Sequence, residues 1–205
     1  MTAIIDYGVG NLFSLKSSFA AIGADAVVTS DPAVINDSDR IILPGVGAFA
    51  DAAKKLRDAG LDSVLKAQVK TGKPLLGICL GMQMLFEKSC EYGEHDGLGL
   101  VQGSVVPMQG VIPAALKIPH IGWNALIFPA DRPRSEIYKY INEGDCVYFV
   151  HSFYGADCGD AVTAYAEYGA LLTASVQNGN VYGTQFHPEK SGDVGLKILK
   201  AFTEI

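Results

Sequence analysis

The stretch PLLGICLGMQ, residues 74–83, decides how this chain is read. An apolar run ends on Cys79, with Gly77 two residues before it and Gly81 two residues after, at the point where a strand pattern gives way to a helix pattern. This is the spacing of a nucleophile elbow, with a thiol where many hydrolases carry a serine. The turn is so tight that side chains at Gly77 and Gly81 would crowd the strand and the helix. It lifts the sulfur above the sheet edge and leaves the Leu80 N–H at the start of a helix, where free N–H groups and the positive helix end favour negative charge. A lone cysteine is more commonly an inert buried side chain. That is the preferred reading of Cys90, Cys146 and Cys158, which lack any such context; for Cys79 the glycine spacing and the strand–helix change agree on a nucleophile.

Outward from the elbow, the first half of the chain alternates strand and helix signals. TAIID is a short apolar strand closed by the turn YGVG, and a helix follows with Leu12, Leu15, Phe19 and Ile22 on one face and Gly23 at its end. DAVVTS and RIILPG read as strands, AFADAAKKLRDAG as a helix, and Leu61–Lys70 as another that stops at Thr71-Gly72. Parallel crossovers need long connections, so this rhythm predicts an α/β fold in three layers, a mixed and mostly parallel sheet with flanking helices. Beyond Gly97 the strands are short: GLVQGSVVPM, CVYFVHSF, AVTAYAEY and LLTASVQ, the last joined to NVYGTQF across Asn178-Gly179, a two-residue hairpin signal. DVGLKILKAF closes the chain as a helix. With no repeat or linker, residues 1–205 read as one domain, a length that buries a sizeable core.

Sixteen basic against 22 acidic residues leave the chain mildly acidic, with no basic cluster for nucleic acid or an anionic membrane surface. No apolar stretch is long enough to span a bilayer and no leader pattern opens the chain, so a cytoplasmic protein is expected. Its four cysteines, without CxxC spacing, then read as reduced thiols rather than disulfides or a metal site.

A thiol nucleophile needs a base, and there are four histidines. His95 lies in the polar run YGEHDG and reads as solvated loop; His120 and His151 sit among apolar residues and read as hydrogen-bonded structural imidazoles. His187 follows the strand NVYGTQF directly and precedes Pro188 and Glu189. Proline pushes the residue before it into extended geometry, where side chains two apart point the same way. Glu189 is thus able to orient one imidazole nitrogen and leave the other for the thiol, the logic of a nucleophile–base–orienter triad. HPE alone is a weak signal; beside the elbow it is persuasive.

IILPGVGAF ends the third strand in a glycine-bracketed turn, residues 44–47, at the sheet edge where open α/β sheets bind ligands. Val46 or Gly47 is placed to supply a second oxyanion donor opposite Leu80. The glycines of DYGVGN lack the third glycine of a dinucleotide fingerprint, and no GxxxxGK[ST] phosphate loop occurs, so no nucleotide cofactor is expected.

PGVGAF, GICLGMQ and QFHPEKS, in this order, resemble the triad-type class I glutamine amidotransferases, whose domain hydrolyses glutamine to supply ammonia. DYGVGNLFSL, IPHIGWN and YFVHSFY are similar to one branch of them, the glutaminase subunits of imidazole glycerol phosphate synthases in histidine biosynthesis. The resemblance runs from Ile4 to Phe202; Ile121, where methionine is frequent before GWN, lies outside the catalytic motifs. It implies a flavodoxin-like amidotransferase domain with Cys79, His187 and Glu189 as the catalytic triad and the Leu80 and Val46 N–H groups as the oxyanion hole. It further implies that Gly47, Gln83 and Glu91 hold L-glutamine, with no metal or other cofactor. The implied partner is a (β/α)8-barrel cyclase in a heterodimer, which takes the ammonia to make imidazole glycerol phosphate and an aminoimidazole carboxamide ribotide. Asn11, Trp123, Lys190 and Ser191 flank the motifs ringing the site and are the candidate docking residues, although Trp123 reads equally as a core aromatic.

Two other readings remain at this level. One is a catalytically silent flavodoxin-like binding subunit, against which the intact Cys79, His187 and Glu189 set argues. The other keeps the enzyme class but serves anthranilate, aminodeoxychorismate or nucleotide synthesis, whose glutaminases share the elbow and HPE.

Overall fold

The computed structural model describes all residues, 1–205. In chain order, β1 (Thr2–Ile5), α1 (Leu12–Ala21), β2 (Ala26–Thr29), α2 (Pro32–Asp37), β3 (Arg40–Leu43), α3 (Phe49–Asp58), α4 (Leu61–Lys70) and β4 (Leu75–Ile78) lead to the elbow. After it come α5 (Leu80–Gln83), β5 (Phe86–Ser89), β6 (His95–Asp96), β7 (Val101–Pro107), β8 (His120–Ala125), β9 (Cys146–His151) and β10 (Phe153–Ala156). β11 (Val162–Glu167), β12 (Leu171–Asn178), β13 (Val181–Thr184) and α6 (Gly192–Thr203) complete the chain.

The main sheet has the order β11-β12-β13-β4-β3-β1-β2, parallel from β13 through β2 and antiparallel at β12 and β11. Its parallel strands are apolar on both faces because both are covered. Alternation along them sorts two cores: Ala3, Ile5, Ile41, Leu43 and Leu75 pack with Leu56, Leu61 and Leu65 of α3 and α4. Ile4, Ile42, Leu76 and Ile78 pack on the opposite face with Leu15 and Phe19 of α1 and Ile198, Leu199 and Phe202 of α6. These are the three layers expected from the sequence.

Pairing of Leu43 with Gly77, and of Thr184 with Ile78, brings the carboxyl ends of β3, β4 and β13 level. The residues that leave these three strands are the 44–47 turn, Cys79 and residues 185–189. Register alone therefore gathers three motifs that lie far apart in sequence.

The structure departs from the sequence reading in several places. The helix after Cys79 is a single turn, because residues 80–86 are all buried and offer no polar face for an amphipathic helix; the chain passes at once into β5. Not every later strand joins the main sheet: β10-β7-β5-β6 form a second sheet and β8-β9 a two-stranded one. The CVYFVHSF run is split at Ser152 between these two. His95, expected in a loop, pairs through β6 with Ser89 of β5. The β12–β13 hairpin turns one residue later than read, at Gly179-Asn180, with positive φ at Gly179 alone, as a type II′ turn requires. Asn180 anchors that turn by donating to the Val69 and Lys73 carbonyls at 2.9 and 2.8 Å. Helix α2 was missed although Asp31 caps it, accepting from Ala33 N–H at 2.8 Å, with Pro32 in its first turn.

Candidate active site

Cys79 stands between β4 and α5 with φ +55° and ψ −111°, backbone space that a residue with a Cβ seldom occupies. The glycines around it explain how the turn closes. A Cβ on Gly77 would lie 2.6 Å from Gly81 O, and one on Gly81 only 1.9 Å from Leu43 O. A Cβ on Gly45 would come within 2.7 Å of Gly81 N, so the β3 turn and the elbow touch through backbone alone.

His187, buried and extended at φ −100° and ψ 98°, comes from the segment after β13. Its Nδ1 pairs with Glu189 Oε1 at 2.8 Å, and both side chains are almost wholly shielded from solvent. Nε2 is buried on the Cys79 side of the ring and has no hydrogen-bond partner. Burial works to lower the imidazole's pKa, but the neighbouring Cys79 sulfur and the Glu189 carboxylate outweigh it and push it up to about 10. The structure thus brings together the three side chains selected from sequence.

A cavity of about 340 Å³ opens above them, lined by Val46, Gly47, Leu80, Gln83 and Glu91 as well as Cys79 and His187. Leu80 begins α5, so its N–H has no acceptor within the helix. Val46 N–H makes no backbone hydrogen bond, and Gly47 at φ +97° lets the turn bend toward the elbow. Gln83 is buried, its Nε2 donating to Gln185 Oε1 at 3.0 Å and to Phe153 O at 3.3 Å, so its own Oε1 is the free polar atom. Glu91 lies in the turn between β5 and β6, and its Oε2 accepts from Phe49 N–H at 2.5 Å.

Sequence reasoning missed several contributors. Gln185 is fully buried and donates from Nε2 to Cys79 Sγ at 3.8 Å. It lies two residues before His187 in QFHPE, and the same period-two argument that selected Glu189 points to it. Tyr92, Val150, Ser152 and Phe153 also line the cavity. The break between β9 and β10 turns the backbone of residues 152–153 toward it, and no residue pattern announces such a break.

His120 and His151 are hydrogen-bonded imidazoles, as read, although His151 also lines the cavity. His120 stacks between Phe149 and Tyr168, its Nδ1 3.1 Å from His151 Nε2, while His151 Nδ1 lies 2.9 Å from Phe153 O. A carbonyl only accepts, so Nδ1 carries the proton in both rings. Burial pushes His151 down to about 4.

Of the four docking candidates, one is corrected. Ser191 is buried, with 1% of its surface exposed; its Oγ donates to His187 O at 2.6 Å and accepts from Tyr148 N–H at 2.9 Å. Its hydroxyl is consumed in holding the His187 backbone, and it presents nothing to a partner. Trp123, by contrast, is 56% exposed and is not a core aromatic. It meets the Tyr148 ring edge-on at 6.1 Å, and Lys190 Nζ lies 6.0 Å from the same ring, so Trp123, Tyr148 and Lys190 form one outward cluster. Asn11, half-buried, heads α1, which packs beside the turn of residues 188–190. Cys90 and Cys146 are exposed rather than buried; Cys158 is buried.

Sulfur on a strained strand–helix elbow, facing an imidazole that a buried carboxylate orients, defines the class: an α/β protein with Cys–His–Glu triad geometry at the carboxyl edge of its sheet. Comparison with known proteins narrows the class. The chain belongs to the class-I glutamine amidotransferase family, whose model matches residues 3–204. Relatives from Aquifex aeolicus (47% identical; 98% of this chain, 95% of the relative) and Caldanaerobacter subterraneus subsp. tengcongensis (48% identical; 100% and 98%) are named imidazole glycerol phosphate synthase subunit HisH. So is one from Methanothermobacter thermautotrophicus, 47% identical over 100% of this chain and 98% of its own. Among solved structures, a glutamine amidotransferase superposes with a TM-score of 0.74 at 20% identity, covering 98% of both chains. PurLQS from Thermotoga maritima superposes with 0.73 at 20% identity, over 99% of this chain and 97% of that one. These two likenesses concern the fold.

Proposed function

We propose that this chain hydrolyses L-glutamine to glutamate and ammonia through a cysteine thioester, as the glutaminase subunit of an imidazole glycerol phosphate synthase in histidine biosynthesis. The observation that carries the reading is the His187 Nδ1–Glu189 Oε1 pair at 2.8 Å beside the Cys79 sulfur on the floor of the cavity. Cys79 Sγ attacks the side-chain amide carbon, and the thiol proton passes through His187 to the departing nitrogen, which leaves as ammonia. His187 then takes a proton from water as its oxygen attacks the thioester; glutamate leaves and the thiol is restored. Leu80 and Val46 N–H groups hold the oxyanion, each worth about 3–4 kcal/mol in comparable enzymes. Gly47, Gln83 and Glu91 hold the rest of the glutamine.

Residues 1–205 act as one domain in the cytoplasm, where four unpaired thiols are at home. The partner is a (β/α)8-barrel cyclase, bound as a heterodimer against the face that carries Asn11, Trp123 and Lys190. Free ammonia is largely protonated near neutral pH and a poor nucleophile, which favours direct delivery. Identities of 47–48% over nearly the whole chain to proteins named HisH support the histidine branch over chorismate- or nucleotide-linked glutaminases. The test is ammonia release from glutamine, alone and with a candidate cyclase and its nucleotide. Turnover that rises with the occupied cyclase is expected; absence of turnover under both conditions, or co-purification with a chorismate-using partner, overturns the reading.

A further inference from the structure

The turn of residues 44–47 is held firmly at both ends and loosely in the middle. At its start, the buried Tyr7 hydroxyl donates to Pro44 O at 2.6 Å, and Gly45 lies against the Gly81 backbone. At its far end α3 begins, with Ala48 as N-cap supplying no side-chain acceptor. The first N–H groups of that helix have no internal partner. One of them, Phe49 N–H, is taken by Glu91 Oε2 from 42 residues along the chain, at 2.5 Å. Glu91 is itself fixed by its N–H, which donates to the Oγ of fully buried Ser89 at 3.1 Å. Between the anchors, Val46 is 42% exposed and a Cβ on Gly47 would meet open space.

The same carboxylate lines the cavity above Cys79, and its Oε1 has no protein partner. We propose that Glu91, already expected from the family resemblance to hold glutamine through the α-ammonium at Oε1, is also a positioning residue: its Oε2 pins the head of α3, and through it the Val46–Gly47 turn. Substrate recognition and placement of the oxyanion donor then run through one carboxylate. The ammonium end rests on the glutaminase reading; the pin does not.

Three variants separate the two ends, assayed with the cyclase present. Glu91→Gln keeps an oxygen for Phe49 N–H but loses the charge, so KM for glutamine rises at least about 10-fold while kcat falls far less. Glu91→Ala loses both ends: KM rises, kcat falls about 10-fold or more, and backbone amides of residues 45–50 exchange hydrogen faster. Ala48→Ser in the Glu91→Ala background steadies the same helix head by accepting from the Ala50 or Asp51 N–H, in the extended geometry that Ala48 already has (φ −83°, ψ 140°), so kcat and exchange recover in part while KM stays high. Unchanged KM in Glu91→Gln overturns the ammonium end. Unchanged kcat and exchange in Glu91→Ala, or no recovery with Ala48→Ser, overturns the pin. Exchange also reads the pin in a chain that hydrolyses nothing, so failure of the glutaminase reading is distinguishable.

Discussion

Gly81→Ala tests the elbow through space alone, since it adds one methyl and removes no functional group. That methyl would lie 1.9 Å from Leu43 O, 2.8 Å from Leu43 C and 3.2 Å from Pro44 C. All three are backbone atoms at the end of a central strand, so no side chain can turn aside, and relief requires the elbow and β3 to separate by roughly 1 Å. Overpacking of this kind costs about 1–3 kcal/mol, or about 2–12 °C in Tm at 2–4 °C per kcal/mol for a chain of this size. The larger effect is on geometry. Cys79 precedes the shifted turn by two residues, and a misplacement of about 1 Å at a reacting atom costs about 100-fold in rate. The expected result is glutamine turnover down by about two orders of magnitude in a protein that still unfolds cooperatively at a lower temperature. Both are read from ammonia release and a thermal melt on the same sample. Wild-type kcat together with wild-type Tm would show that backbone contact between β3 and the elbow does not set the sulfur's position.

Cys79→Ala abolishes glutamine hydrolysis while the melting transition and cyclase binding persist, and retained turnover refutes the nucleophile. An electrophilic glutamine analogue attaches to Cys79 and spares Cys90 and Cys146 although both are exposed, as peptide mass mapping will reveal. Glu189→Gln removes the carboxylate that helps hold His187 protonated; kcat drops by about 10²–10⁴ and the imidazole's titration, followed by NMR, moves down from about 10. Stability has opposite pH limbs from two histidines. His151, pushed to about 4 by burial, binds its proton less readily folded than unfolded, so stability falls as pH drops from about 6.5 toward 4, by about 2 kcal/mol at pH 5. His187, raised to about 10, contributes stability fully present below about 6.5 and lost as pH climbs toward 10. A melt series from pH 4 to 10 should peak between the limbs, and His151→Gln should flatten the acid one; an acid limb unchanged in that variant refutes the assignment.

Local patterns carried much of this molecule. The helix boundaries at Leu61 and Lys70 match the reading because Gly60 and Thr71-Gly72 bracket them, and the parallel sheet followed from buried apolar strands spaced by helices. Cys79, His187 and Glu189 were legible because glycine at fixed offsets and proline after histidine restrict the backbone itself. Features set by long-range packing were not. Ser191 looked like a surface polar residue beside Lys190, yet its hydroxyl satisfies two backbone groups from separate segments. Glu91 matched a substrate position by resemblance, but nothing local announces that it caps a helix 42 residues upstream. The single-turn α5 reflects crowding on every side of residues 80–86 rather than any stop signal.

The buried hydroxyl of Ser191 bears on how the His187 imidazole is aimed. His187 N–H donates to Tyr148 O at 2.9 Å, and Ser191 Oγ ties Tyr148 N–H to His187 O, so His187 and strand β9 share a closed loop of hydrogen bonds. Tyr148's ring is also what Trp123 and Lys190 pack against on the outside. A substitution outside that displaces Tyr148 therefore pulls on the backbone that holds the His187 imidazole, so the aim of a buried ring is set in part by side chains standing in solvent.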